Sequence, residues 1–175
     1  PKVDPASIDD VAIAAATQTG DQGMNIGRSA TLLAGLPKTV PGYSIDRWCA
    51  GALTATTTVA GAIAMGAIDI AIAGGVEHMG NHPMGDLMDP NPRYLAEKMV
   101  DQDALSMGAT AERLHDKFPH LTKERADRYA YNSQMKTAAA YKEGKIQRDL
   151  IPVAVRSPEL GWGVATVDEP PRPTT

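Results

Sequence analysis

From Gly51 to Met65 the chain reads GALTATTTVAGAIAM, with no charged residue and no polar group except threonine hydroxyls. Such hydroxyls hydrogen-bond back to carbonyls of their own helix, so the stretch is compatible with a helix that has no polar face. A helix of that kind must be covered by protein. One layer of that cover is expected to be missing from this chain. IDIAIAGG, Ile68 to Gly75, is an apolar run broken only by Asp69 and closed by a Gly-Gly turn, the pattern of a buried strand. VAIAAA, Val11 to Ala16, is a second such run. Between them a helix is expected from about Asn25, a good N-cap, to Leu33, with Gly35 and Pro37 ending it. VPGYSIDRW then leads as an extended segment into Cys49. The order strand, helix, strand, helix, strand implies an α/β fold with a mostly parallel sheet covered on both faces.

Aromatic residues make up only 5% of the chain, so this core is built from small aliphatics that permit close packing of helix on sheet. A net charge of −4 with no basic stripe argues against nucleic acid as a partner. The one cysteine forms no internal disulfide, and His78, His82, His115 and His120 offer it no metal-ligand spacing; a reducing compartment is expected. His78 and His82 would share a helix face at i, i+4, but Gly80, Asn81 and Pro83 oppose a helix there. GDQGMNIG lacks both G-x-G-x-x-G and the lysine of a phosphate-binding loop, and a turn is expected instead. The Ala-rich region from Ala50 to Ala73 is interrupted by threonines, glycines and Asp69, so no bilayer span is expected, nor is a secretory signal read in these residues.

At Val76 the composition changes. EHMGNHPMGDLMDPNPRYL is rich in Met, Pro, Gly and Asn, as in a loop excursion over a surface or cleft. Met79, Met84, Met88, Met99 and Met107 could line an apolar pocket or fill gaps in a core. Two helices with solvated charged faces are expected, Ser106 to Phe118 and Lys123 to Glu143, the second capped by Thr122 and stopped by Gly144. LIPVAV near Leu150 suggests a strand, and no regular structure is expected in the proline-rich tail from Asp168. The domain boundary is placed at 76/77, with an α/β part over residues 1–76 and a loop-rich, α-rich part over 77–175.

Cys49 stands where an extended segment gives way to the apolar helix. A thiol in a first helical turn meets the partial positive charge of unpaired N–H groups, which favours thiolate, and the same groups can hold an oxyanion. Ala50, Gly51 and Ala52 leave room for a substrate. A buried, inert cysteine fits the same position, and spacing alone leaves both readings open.

Taken together, VAIAAATQTGDQGMNIGRSATLLAGLP, SIDRWCAGAL, AIDIAIAGGVEHMG, MGATAERL, TKERADRYAYNSQMKTAAAYKEGKIQRDLIPV and DEPPRPTT resemble, in order, successive segments of the thiolase family, the acetyl-CoA acyltransferases. The resemblance covers nearly all 175 residues. GGVEHMG followed by PMG is most similar to the β subunit of the fatty-acid β-oxidation multienzyme complex. This implies a layered α/β/α N-terminal domain, here in part, followed by part of an α-rich loop domain that covers the substrate and coenzyme A.

The resemblance implies CoA-dependent cleavage of a 3-ketoacyl-CoA to acetyl-CoA and an acyl-CoA two carbons shorter, with coenzyme A as substrate and no metal or redox cofactor. Cys49 matches the nucleophile that becomes an acyl thioester. Met107 matches a position lining the acyl pocket, Ser106 stands where some short-chain members carry a histidine near the CoA chain, and Met84 falls in the segment that opens the loop domain. CAGA departs from the family's commoner C-x-S-S or C-G-S-G, though small residues persist. The family's asparagine of N-E-A, histidine of G-H-P and second cysteine of C-x-G have no match here, so this chain is expected to be an internal fragment, inactive alone. Implied partners are a second thiolase subunit and a hydratase/dehydrogenase subunit, in a bacterial cytoplasm, with a mitochondrial or peroxisomal setting also open. The alternatives are a biosynthetic acetoacetyl-CoA thiolase, a decarboxylating condensing enzyme, and a non-catalytic acyl-CoA-binding module or assembly element.

Overall fold

Val11, Ala12, Ala14 and Ala15 are between 0% and 4% exposed, so the first strand, β1 (Asp10–Ala14), is buried on both faces, as its unbroken apolar run requires. The computed structural model describes residues 3–85, 90–157, 159, 161–169 and 171–172; Met88 and the end of the tail lie outside the described residues. The chain divides into two compact units, Pro1–Pro90 and Asn91–Thr175.

In the first unit β1 is flanked by β2 (Tyr43–Ile45) and β3 (Ala71–Gly75), both parallel to it, in the order β2-β1-β3. Helix α1 (Ile26–Leu33) connects β1 to β2, and α2 (Gly51–Ala64) carries the chain from β2 past β1 to β3. The two crossovers run in opposite directions along the sheet, and right-handed connections then place their helices on opposite faces. The core is accordingly split. Ile8, Val11 and Val40 pack with Ile13 and Leu36 on one face, and Ala12, Ala55 and Val59 pack with Tyr43, Ile45 and Ala73 on the other. This is the expected layered α/β/α arrangement.

Two details differ from the expectation. β3 begins at Ala71 rather than Ile68, because the Asp9 carboxylate accepts the amides of Asp69 (2.7 Å) and Ile70 (3.0 Å) and holds that entry out of the ladder. Asn25 caps α1, its Oδ1 accepting the Arg28 amide at 3.1 Å, but with a left-handed φ of 60°. Helix α2 buries only Gly51, Ala55 and Val59, so one face of it is covered by the sheet and the other is open.

The second unit holds α3 (Arg93–Ala96), α4 (Met107–Lys117), α5 (Lys123–Lys142) and an antiparallel pair, β4 (Val153–Ser157) and β5 (Gly161–Ala165). Ser106 and Thr122 cap α4 and α5, accepting the amides of Ala109 and Arg125, each at 3.4 Å. β5 went unanticipated because Gly161 and Gly163 dilute any strand signal. Two described residues of the proline-rich tail are bonded to α5, without regular structure of their own: Tyr141 donates its hydroxyl to Asp168 at 2.5 Å, and the Arg172 amide donates to the Gln134 side chain at 2.7 Å.

Candidate active site

In an open parallel sheet, the loops leaving the C-terminal ends of the strands share one edge, and ligands of such folds bind there. Here that edge carries the loops after β1, β2 and β3. Cys49 lies in the loop after β2, within the single 3-10 turn Trp48–Ala50 that runs directly into α2. The turn is built locally. Asp46 Oδ1 accepts the Trp48 amide at 2.8 Å, the Ala50 amide bonds to Arg47 O at 3.0 Å, and Thr54 Oγ1 bonds back to Ala50 O at 2.9 Å. Trp48 has φ 48°, a left-handed conformation rare for a residue with a β-carbon.

No side chain caps the N-terminus of α2; the Gly51 amide is taken by Trp48 O and the Ala50 amide by Arg47 O. Cys49 is exposed, with Trp48 and Leu53, 63% and 68% exposed, beside it in sequence. Among the described residues nothing packs the Cys49 thiol into a core. Gly51 and Gly75 permit the close approach that sets this corner: a β-carbon on Gly51 would meet the Ala14 β-carbon at 2.8 Å, and one on Gly75 would meet that of Ala52 at 3.1 Å.

Met84, 81% exposed, is on the loop after β3, in the same unit as Cys49. Ser106 and Met107 belong to the second unit, at the start of α4, where Met107 is 78% exposed and the Ser106 hydroxyl is engaged as the helix cap. Among the described residues no group of three or more His, Cys, Asp or Glu side chains is arranged to hold a metal. No helix among them is long and apolar enough to cross a membrane.

Sequence reasoning missed a polar network beside this edge. Gln22, 3% exposed, donates to Glu77 and to Thr17 O, each at 2.8 Å, and accepts the His78 amide at 2.5 Å. Glu77 also accepts the amides of Ala16 (2.7 Å) and Thr17 (3.3 Å). Burial opposes its ionised form, but the Gln22 amide and these N–H donors outweigh it and hold the carboxyl below its ordinary range. Asp21 is likewise lowered, first by its bond to His82 and then by Asn81. The available signal was a lone acid two residues after the β3 Gly-Gly pair, facing a loop whose QTGDQG carries amide and carboxyl groups but no apolar anchor.

The whole chain, residues 1–175, matches the family model described as thiolase, N-terminal domain. It is 38% identical over 175 residues to the 3-ketoacyl-CoA thiolase of Pseudoalteromonas translucida (strain TAC 125), covering 100% of this chain and 44% of that protein. The 3-ketoacyl-CoA thiolase of Bacillus subtilis (strain 168) is 40% identical over 156 residues, 89% of this chain and 39% of its own length. The crystal structure of the Bacillus anthracis acetyl-CoA acetyltransferase superposes with a TM-score of 0.76 at 28% identity, over 98% of this chain and 45% of that one. The chain thus spans less than half the length of the curated relatives it matches. With a parallel sheet between two helices, an exposed cysteine turned into the start of one of them, and a family match along its entire length, this chain belongs to the thiolase family and corresponds to its N-terminal domain.

Proposed function

We propose that the protein containing this chain is a 3-ketoacyl-CoA thiolase of fatty-acid β-oxidation, with Cys49 as its nucleophile. The observation that carries this reading is the exposed Cys49 in the turn opening into the uncapped N-terminus of α2. The helix end favours the thiolate and leaves N–H groups for a developing oxyanion. The Cys49 thiolate attacks the 3-keto carbon, the bond between C2 and C3 breaks, and the departing acetyl-CoA enolate takes up a proton. The thiolate of a second coenzyme A then attacks the acyl-Cys49 thioester, releasing the shortened acyl-CoA and regenerating the Cys49 thiolate. The base and the second cysteine come from parts of the protein outside this chain, so the 175-residue piece alone turns over no substrate.

Met84, Ser106 and Met107 are assigned to the acyl-CoA binding surface, and residues 77–175 to the covering loop domain. A second thiolase subunit and a hydratase/dehydrogenase subunit are the proposed partners, and the cytoplasm the proposed compartment. The 36–41% identity to proteins named 3-ketoacyl-CoA thiolase supports the degradative direction over the acetoacetyl-CoA one, which the 28% identity to an acetyl-CoA acetyltransferase keeps as the second reading. Relative turnover of long-chain and four-carbon 3-ketoacyl-CoA separates the two.

The test of the nucleophile is Cys49→Ser in the whole protein. Ser fits the same space but supplies no thiolate, so turnover should fall by roughly 10³-fold or more with the melting temperature unchanged. Intact mass after mixing with 3-ketoacyl-CoA should show an acyl adduct at Cys49 in the parent and none in the variant. A variant that keeps turnover, or a parent acylated elsewhere, refutes the assignment.

A further inference from the structure

The loops after β1 and β3 each bury one polar side chain against the other, and acyl transfer at Cys49 uses neither. Gln22, from the loop after β1, is 3% exposed and is bonded to Glu77 and the His78 amide of the loop after β3. His82, from the loop after β3, is 9% exposed and pairs through Nε2 with the Asp21 carboxylate of the loop after β1. The second Asp21 oxygen accepts the Asn81 side-chain amide at 3.2 Å. His82 is presented by a closed turn, its own amide bonding to His78 O at 2.9 Å. Its ring lies against the Gly20 turn, where φ is 54° and an added β-carbon would stand 3.2 Å from His82 Cε1.

A loop of this composition, rich in Gly, Met and Pro, has little apolar surface to bury and would otherwise sample many conformations. Here two buried side chains, one from each loop, fasten it at two points. The inner point, Gln22 with Glu77, closes the ends of adjacent strands. The outer point lies five residues further along and is followed at once by Pro83 and the exposed Met84. It therefore determines where the chain leaves the sheet edge that also carries Cys49.

We infer that His82 and Asp21 form the outer half of a reciprocal clasp and act as positioning residues for acyl-CoA binding, holding Pro83 and Met84 at the sheet edge that carries Cys49 without joining the bond changes at Cys49. This rests on the acyl-transfer reading above.

The experiment compares His82→Leu, which keeps bulk without a donor, with His82→Gln, which restores an N–H donor, in the whole protein. Asp21→Asn is the companion variant; the Asp21 side chain is 53% exposed, so the fold tolerates the change. In His82→Leu and Asp21→Asn, amides of residues 77–82 should exchange with solvent at least about tenfold faster while those of β1 and β3 keep their protection. KM for 3-ketoacyl-CoA should rise about tenfold with kcat within about twofold of the parent, and His82→Gln should recover most of the KM. Unchanged exchange overturns the clasp. Faster exchange with unchanged KM overturns the positioning role, as does a fall in kcat at constant KM. If the parent protein shows no thiolysis at all, the acyl-transfer reading fails and takes the substrate role with it, whereas the exchange rates still judge the clasp.

Discussion

Cys49 owes its setting to the residue before it. Trp48 holds a left-handed backbone because Asp46 accepts its amide and the Gly51 amide bonds to its carbonyl, and that kink opens the turn that carries the exposed thiol into α2. The sequence showed a cysteine among small residues; it could not show the kink, which no residue type here prefers. The carboxylates nearby were equally silent, since an acid in a polar loop is ordinarily a solvated one. Asp9 is held below its usual range by the amides of Asp69 and then Ile70, Asp21 by His82 and then Asn81, and Glu77 by its donors against burial. A carboxyl whose folded pKa is depressed contributes stability that is present above its unfolded pKa and lost as pH falls through the folded one. The melting temperature should therefore drop as pH falls below about 4, where unfolded carboxyls take up protons. Asp9→Asn should flatten that acid limb. A melting temperature equally steep with pH in parent and variant would count against the role given to Asp9.

At the scale of elements, periodicity and caps carried most of the information. The helices over 26–33, 107–117 and 123–142 stand where Asn25, Ser106 and Thr122 placed their starts, because a cap and a breaker are local signals. β2 has three residues and β3 is shortened at its start, because ladder length is decided by partner strands and by Asp9, neither of which is local. Helix α2 needs a layer on each side and was expected to lack one of them in this chain. It lies with Gly51, Ala55 and Val59 on the sheet while Leu53 and Ile63 remain 68% and 41% exposed. Its contact with β1 is too close for a larger first residue. Gly51→Ala should shift the helix start off Ala14 and cost about 1–3 kcal/mol, typical of overpacking. It should also slow acylation of the neighbouring Cys49. Unfolding in denaturant gives the first quantity and rapid-mix mass spectrometry the second; an unaltered stability would mean the corner has slack.

For the molecule as a whole, the first unit presents Leu53, Ile63, Met65, Ile70 and Ile72 at 37% to 81% exposure, on α2, just beyond it and around β3. Apolar residues left open on a helix and an adjoining sheet edge drive association. The purified 175-residue chain should elute from size exclusion with a mass above 18.5 kDa that rises with concentration, and light scattering checks it. A monodisperse monomer across that range would show the surface to be better solvated than its composition implies. By itself the sequence determined the α/β class, the order of elements, the helix starts and the candidate nucleophile, because each is written in local patterns of apolarity, capping and small residues. Tertiary structure alone decided that Cys49 is exposed, that α2 is covered on one side, and that Gln22 and His82 are buried partners of the opposite loop. Those outcomes depend on residues some sixty positions apart meeting at one sheet edge, and no local pattern records which polar group will meet which.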